Sequence, residues 1–156
     1  MEGVIQLLED SMRRNWDRDA LTDYKGDTLR YCDVARRVAK LHLFFEAMNV
    51  KRGDRIAICG RNSANWGVAC LASLTYGAVT VPILHEFKAD TIHNIINHSD
   101  ACVVFVSDLI WENIVPEAIP NVRCVLQLNN MNVLFSNDEH AEYTISHLNE
   151  LFGKRY

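Results

Sequence analysis

The chain has 156 residues, of which 49% are hydrophobic and 23% charged, and its formal net charge at pH 7 is −4. These are ordinary values for one globular domain, which at this length buries roughly 68–70% of its unfolded surface. The charge balance leaves no basic footprint for nucleic acid, and no apolar run approaches the ~20 residues of a membrane span.

Cysteine usage indicates the compartment. The five cysteines are Cys32, Cys59, Cys70, Cys102 and Cys124. No two of them form a CxxC pair, and an odd number argues against a complete disulfide framework, so buried free thiols in a reducing compartment are the better interpretation. The N-terminus carries acids inside its apolar pattern, which is not typical of a secretory signal. We therefore expect the protein to be cytoplasmic.

The first third of the chain is predicted to form a helix, a short hairpin and a longer helix. Apolar residues over 4–16 follow a helical stripe. Two strand-like runs, 21–24 and 28–31, flank Lys25-Gly26-Asp27, which predicts a hairpin with Gly26 supplying the turn. From Val34 to Met48 the apolar residues recur every three or four positions, which gives one core-facing seam.

The middle of the chain holds one complete strand–helix–strand unit. Residues 55–59 are an apolar, β-favouring run, and Asn62 and Ser63 are good N-cap residues for the helix that follows. Gly77 stands where the end of that helix needs a residue tolerant of positive φ. Residues 79–81 then form a second strand, closed by a proline. Two buried strands joined by a helix imply a parallel pair with a right-handed crossover.

The pattern continues toward the C-terminus. After a loop over 83–87, residues 89–98 are predicted to be a helix, 101–106 a strand, 109–114 a short helix and 122–128 a fourth strand. This alternation predicts an α/β fold with a mostly parallel layered sheet.

The last stretch has a different pattern. Residues 129–143 have no clean period and are predicted to be a long loop, followed by a final helix near 144–152.

The turn at Gly60 invites comparison with nucleotide-binding loops. A Walker loop needs GxxxxGK[ST], but Gly60 and Gly67 are seven apart and Val68 follows where lysine is required. A dinucleotide fingerprint needs GxGxxG, and only its first glycine is present. Gly60 is therefore interpreted as a tight turn and not as a phosphate site.

Histidines near the middle of the chain suggest a metal site, but their spacing argues against one. His93 and His98 are five apart on the predicted helix and face different directions, and His85-Glu86 does not begin an HExxH motif. Capping or surface roles fit them better. Trp66 and Trp111 are interpreted as core packing, and no thiol has a nearby activating base. We therefore predict no catalytic, cofactor-binding or metal-binding residue in this chain.

An ordered set of segments nevertheless resembles a known family. The segments are 31–34 (YCDV), 49–58 (NVKRGDRIAI), 61–66 (RNSANW), 76–83 (YGAVTVPI) and 92–106 (IHNIINHSDACVVFV). Together they resemble the N-terminal segment of the AMP-forming acyl-CoA synthetases, the adenylate-forming family of acyl-CoA ligases, luciferases and peptide-synthetase adenylation domains. The Asn-Ser-x-x-Trp helix start, the VPI close and His98-Ser99-Asp100 are most similar to long-chain fatty acid ligases.

Two residues depart from the family pattern. Arg30 stands where the family often has Ser or Thr before the tyrosine, which weakens the helix cap, and Asn49 replaces a usual glycine. The family's phosphate-binding loop, rich in Ser, Thr and Gly and ending Pro-Lys-Gly, is absent, as are its later adenylate-binding motifs and catalytic lysine. Residues 1–156 are therefore interpreted as the truncated N-terminal portion of the large domain of such a ligase, part of a larger domain.

The resemblance implies a function for the parent enzyme. The parent would activate a fatty acid with ATP and Mg²⁺ through an acyl-adenylate and transfer it to coenzyme A. The family's sites for these steps are the motifs that residues 1–156 lack. The chain itself would be a scaffold whose partner is the remainder of the same polypeptide, and its exposed edges would allow self-association. The parent enzyme could be peripheral to a membrane. Two alternatives stay open: a stand-alone α/β module that binds through a sheet edge or the 129–143 loop, and a ligase for another acid, such as an aryl acid or amino acid.

Overall fold

The computed structural model describes residues 2–155 and shows helices packed on both faces of a central sheet. In chain order the elements are α1 (Glu2–Arg14), β1 (Asp19–Thr22), β2 (Thr28–Arg30), α2 (Tyr31–Ala47), β3 (Arg55–Cys59), α3 (Ala64–Tyr76), β4 (Val79–Ile83), α4 (Ala89–Ser99), β5 (Val103–Val106), α5 (Asp108–Trp111), β6 (Cys124–Gln127), β7 (Val133–Ser136), α6 (Ala141–Ser146) and α7 (Leu148–Arg155). A 3₁₀ turn, Pro116–Ala118, precedes β6. None of the helices in the described range combines the length and hydropathy needed to span a bilayer.

The central sheet has five strands in the order β4-β3-β5-β6-β7. The first four are parallel to one another, and β7 runs antiparallel to β6. The parallel pairing of β3 with β4 is the one expected from the strand–helix–strand unit. The predicted α/β fold, with a mostly parallel sheet and a separate N-terminal hairpin, is confirmed.

The central strands are buried on both faces. Ile58 and Phe105 point into the larger core, which lies under α2 and α3. Ala57 and Val104, one residue earlier on the same strands, point into a second core under α4. Strands covered by helices on both faces carry continuous apolar runs, which is why these strands stand out in the sequence.

The predicted ends of α3 are confirmed. The Ser63 hydroxyl accepts a hydrogen bond from the Trp66 main-chain N–H at 3.0 Å at the start of α3. Gly77 ends α3 with φ 95°, and Asn49 follows α2 with φ 60°. Strand β4 does not close at Pro82 but continues to Ile83. Proline is tolerated there because β4 is an edge strand.

The N-terminal hairpin forms, but its turn works differently from the prediction. The residue with positive φ is Lys25, at 56°, and not Gly26. Glycine is required for space instead, because a Cβ at Gly26 would lie 2.8 Å from the Asp23 Cβ. The start of α2 lacks a capping side chain at Arg30, as expected from the sequence. The Asp33 carboxylate accepts from the Arg30 main-chain N–H at 2.9 Å instead, and this bond lowers the pKa of Asp33.

The prediction of a loop over 129–143 is wrong in its middle. Strand β7 lies there, and a tight turn joins it to β6: Met131 has φ 60°, and its N–H donates to the Gln127 carbonyl at 2.7 Å. All four residues of β7 are half-buried, so the strand has no apolar–polar alternation to reveal it. The predicted final helix is also divided into α6 and α7.

Candidate functional site at the carboxyl ends of the parallel strands

A cleft of about 940 Å³ lies where the four parallel strands end. Its walls come from the segments that follow β3, β4, β5 and β6, with Asp23 of the hairpin turn at one side. Strand β3 continues into α3, which packs on the larger core, whereas β5 continues into α5, which packs on the other face. Chains that leave neighbouring parallel strands toward opposite faces open a crevice, and ligands of open α/β sheets bind in such crevices.

The N-terminus of α3 forms part of the floor and is held from two directions. Ser63 caps it locally, and the Asp23 carboxylate accepts from the Ala64 main-chain N–H at 2.7 Å. The hairpin also packs Leu21 against Gly67, where an added Cβ would lie 3.0 Å from Leu21 Cδ1. The hairpin therefore braces the first turn of α3.

Asn65 connects this floor to the opposite wall. Its side-chain amide donates to the main-chain carbonyls of Leu128 and Asn129 at 2.7 and 3.2 Å, while its carbonyl oxygen accepts from Arg37 Nη1 at 2.9 Å. The Asn129 side-chain oxygen in turn accepts from the Asp108 N–H at 3.3 Å. One hydrogen-bonded chain thus runs across the segments after β3, β6 and β5.

The charges that line the cleft are balanced. Arg61 and Lys88 are exposed and make no ion pair within residues 2–155. Two carboxylates also line the cleft, and each is already engaged: Asp23 with Ala64, and Asp108 with the Leu109 N–H at 2.9 Å. Of the Asp, Lys and Arg side chains that line the cleft, Arg61 and Lys88 are therefore the two without a hydrogen-bond or ion-pair partner among residues 2–155.

The rim of the cleft is apolar and open. Phe87 and Leu109 line the cleft after β4 and β5 and are 40% and 70% exposed, and Leu84, which directly follows β4, is 62% exposed. Grouped exposure of large apolar side chains is typical of a surface that contacts another body.

Gly60 sits beneath the cleft and has no room for a ligand. Its φ is not positive, but a Cβ would lie 2.6 Å from Leu128 Cδ1 and 3.7 Å from the Ser107 Cβ. Gly60 is therefore needed for close packing between strand ends, which refines its interpretation as a turn residue.

The other residues singled out in the sequence are placed apart. The predicted capping or surface role is wrong for His93, which is buried: its Nε2 accepts from the Val115 N–H at 3.0 Å and so holds the segment after α5. His98 is exposed near the end of α4, while His85 lines the cleft. Within residues 2–155 no group of three or more His, Cys, Asp or Glu side chains could hold a metal ion.

The buried thiols are poor nucleophiles. Burial raises the pKa of Cys59 to about 11 and that of Cys124 to about 12. Because the thiolate is the reactive form, these groups are inert near neutral pH. Trp66 and Trp111 pack against the two cores, as predicted.

Sequence reasoning missed the residues that frame the cleft, above all Asp23, Asn65 and Asn129. For Asn65 and Asn129 the available signal was positional: three of the four predicted parallel strands are followed by polar residues, and the carboxyl ends of parallel strands meet at one edge of the sheet.

Comparison with known proteins places the chain in a family. Residues 8–150 match the family described as AMP-binding enzyme. Because the match covers most of the chain, the chain belongs to that family, and the resemblance found in the sequence is confirmed.

Several of the named relatives are CoA ligases. The long-chain-fatty-acid–CoA ligase FadD15 of Mycobacterium bovis is 29% identical over 99 residues, which is 62% of this chain and 16% of the relative. Among solved structures, coronafacic acid ligase from Pectobacterium brasiliense matches with a TM-score of 0.76 at 18% identity, covering 88% of this chain and 27% of that one. The anthranilate CoA ligase AuaEII, solved with anthranoyl-AMP, matches at 0.74 and 17%, covering 79% and 24%. The chain thus spans about one sixth of the length of the curated relative.

Proposed function

We propose that this chain is the N-terminal part of the large domain of an AMP-forming CoA ligase that activates a long-chain fatty acid. The observation that carries the proposal is the family match over residues 8–150. The fatty acid is proposed because the relative FadD15 is named for that substrate. An aryl acid is the competing substrate, since a structural neighbour is an anthranilate CoA ligase.

The proposed reaction has two steps. A carboxylate oxygen of the acid attacks the α-phosphorus of ATP, which forms an acyl-adenylate and releases pyrophosphate. The thiol of coenzyme A then attacks the acyl carbon, which forms the thioester and releases AMP. Mg²⁺ is expected to accompany ATP in such reactions and prefers oxygen ligands. The described residues contain no cluster that fits a metal ion, so we assign no residue of this chain to Mg²⁺.

In this proposal the chain contributes a scaffold and one wall of the ligand-binding region. The apolar rim around Leu84, Phe87 and Leu109 is the surface on which we propose that the remainder of the same polypeptide docks. Without that remainder, the unpaired outer edges of β4 and β7 can pair with a second copy of the chain. Light scattering over a concentration series should then detect species larger than a monomer, and a clean monomer at high concentration contradicts this part of the proposal.

The experiment compares the chain alone with the full open reading frame from which it comes. ATP–pyrophosphate exchange is measured with palmitate, anthranilate and a mixture of amino acids. We expect no exchange from the chain alone and palmitate-dependent exchange from the full-length protein. Exchange by residues 1–156 alone contradicts the scaffold role. A reading frame that stops after Tyr156 supports the alternative of a stand-alone binding module. If the full-length protein is active only with anthranilate or an amino acid, the proposed fatty acid substrate is wrong.

A further inference from the structure

Three of the cleft-forming segments come from distant parts of the sequence and meet at one side chain. Asn65, in the first turn of α3, donates through its amide nitrogen to Leu128 O and Asn129 O, which lie 63 and 64 residues later. The Asn129 side-chain oxygen also accepts from the Asp108 N–H, which links the segment after β6 to the segment after β5. On the opposite side Asn65 accepts from Arg37 of α2.

These bonds lie above the core and not within it. Asn65 is only half-buried and Asn129 and Asp108 are exposed, whereas the strands beneath them are fully buried by apolar packing. Apolar packing of the sheet and helices therefore stabilises the fold. The hydrogen bonds of Asn65 determine the positions of the segments after β5 and β6 relative to α3. Two of the three Asn65 hydrogen bonds go to segments that line the cleft, and the third anchors Asn65 to α2, so this residue holds the shape of the cleft.

We propose that Asn65 is a positioning residue of the cleft: its amide fixes the segments after β5 and β6 relative to α3 for the ligand that the cleft takes. The inference rests on the proposed function for the identity of the ligand as a substrate of a CoA ligase. The geometric part, that Asn65 controls the order of these segments, is tested on the chain itself.

The test substitution is Asn65→Asp, which distinguishes the hydrogen bond to α2 from the hydrogen bonds to the segment after β6. The aspartate keeps an oxygen to accept from Arg37 but replaces the NH₂ group that faces the Leu128 and Asn129 carbonyls with a second oxygen. Arg37→Met is the complementary variant, because it removes the bond to α2 and leaves the loop bonds intact. Asn94→Asp, on the exposed surface of α4, controls for the added charge.

Hydrogen exchange followed by NMR gives the first readout. With Asn65→Asp we expect the amides of Asp108 and Met131 to exchange at least about 2-fold faster, because two hydrogen bonds are lost and each corresponds to about 2- to 10-fold. The amides of β3 and β5 should exchange at the wild-type rate, and neither Arg37→Met nor Asn94→Asp should alter the two loop amides. Unchanged loop amides, or an equal acceleration through the whole sheet, overturns the inference, since the second result indicates a purely structural role.

The full-length protein gives the second readout. KM and kcat for ATP, palmitate and coenzyme A are measured for the wild type, Asn65→Asp and Asn94→Asp. We expect Asn65→Asp to raise the KM of at least one of the three by at least about 2-fold with kcat changed less than about 2-fold, since each of the two lost hydrogen bonds corresponds to about 2- to 10-fold. Wild-type values throughout overturn the positioning role. A wild-type protein without ligase activity overturns the proposed function instead and leaves the exchange experiment to decide on Asn65.

Discussion

Gly60→Ala probes the packing between strand ends beneath the cleft. The added methyl group would lie 2.6 Å from Leu128 Cδ1, well inside normal contact distance, and 3.7 Å from the Ser107 Cβ. Leu128 is only 4% exposed, so its side chain cannot turn into solvent to make room. Overpacking of this kind costs about 1–3 kcal/mol of unfolding free energy.

A backbone effect works in the opposite direction. The φ of Gly60 is not positive, so alanine is not strained there and reduces the entropy of the unfolded chain. That effect stabilises a protein by about 0.4–1 kcal/mol. We therefore expect a net loss of about 1.3 kcal/mol, the difference between the midpoints of the two ranges.

Urea unfolding followed by circular dichroism measures this loss. Gly153→Ala is the matched control, because no atom lies within 4 Å of its Cβ position and α7 should gain up to about 1 kcal/mol from alanine. In the double variant Gly60→Ala/Leu128→Ala the clash is absent, so its loss should be smaller than the sum of the two single losses by the overpacking cost, about 1–3 kcal/mol. A Gly60→Ala protein as stable as the wild type, or strictly additive losses, refutes the packing argument.

Three further predictions concern a helix cap, a histidine and the thiols. Ser63→Ala removes the acceptor of the Trp66 N–H and should cost about 1 kcal/mol in urea unfolding, with Ser63→Asp restoring most of it. Burial lowers the pKa of His42 in the folded protein. As pH falls, the His42 imidazole is therefore protonated in the unfolded chain at a higher pH than in the folded chain. Stability should therefore decrease once pH drops below about 6.5, less steeply in His42→Gln, and an identical slope in both proteins contradicts this. Cys59 and Cys124 should resist iodoacetamide at neutral pH until urea unfolds the chain, as judged by mass spectrometry; rapid labelling of the native protein would show accessible thiolates.

The sequence alone determined those parts of the fold that depend on neighbouring residues. The buried strands β3 and β5 are continuous apolar runs because helices cover both faces of the sheet. The ends of α3 are fixed by Ser63 and Gly77, whose chemistry acts within one turn of the chain. The same local patterns, in their order, were sufficient to identify the family.

Strand β7 could not be predicted from the sequence because its formation depends on pairing with another strand and not on its own residue pattern. Its residues are neither fully buried nor alternating, and it forms because β6 offers an unpaired edge after a tight turn at Met131. The role of Gly26 in the hairpin turn could not be predicted from local sequence either, because it depends on the space that the tertiary structure leaves beside Asp23.

The candidate site was decided by tertiary structure alone. Asp23, Asn65 and Asn129 stand in three separate predicted segments, and nothing in their local sequence joins them. Asn65 and Asn129 meet because parallel strands bring their carboxyl ends to one edge of the sheet, and Asp23 joins them because the antiparallel hairpin packs there and its carboxylate accepts from the Ala64 N–H. Local sequence fixes which residues follow each strand, but the order β4-β3-β5-β6 determines which of them become neighbours.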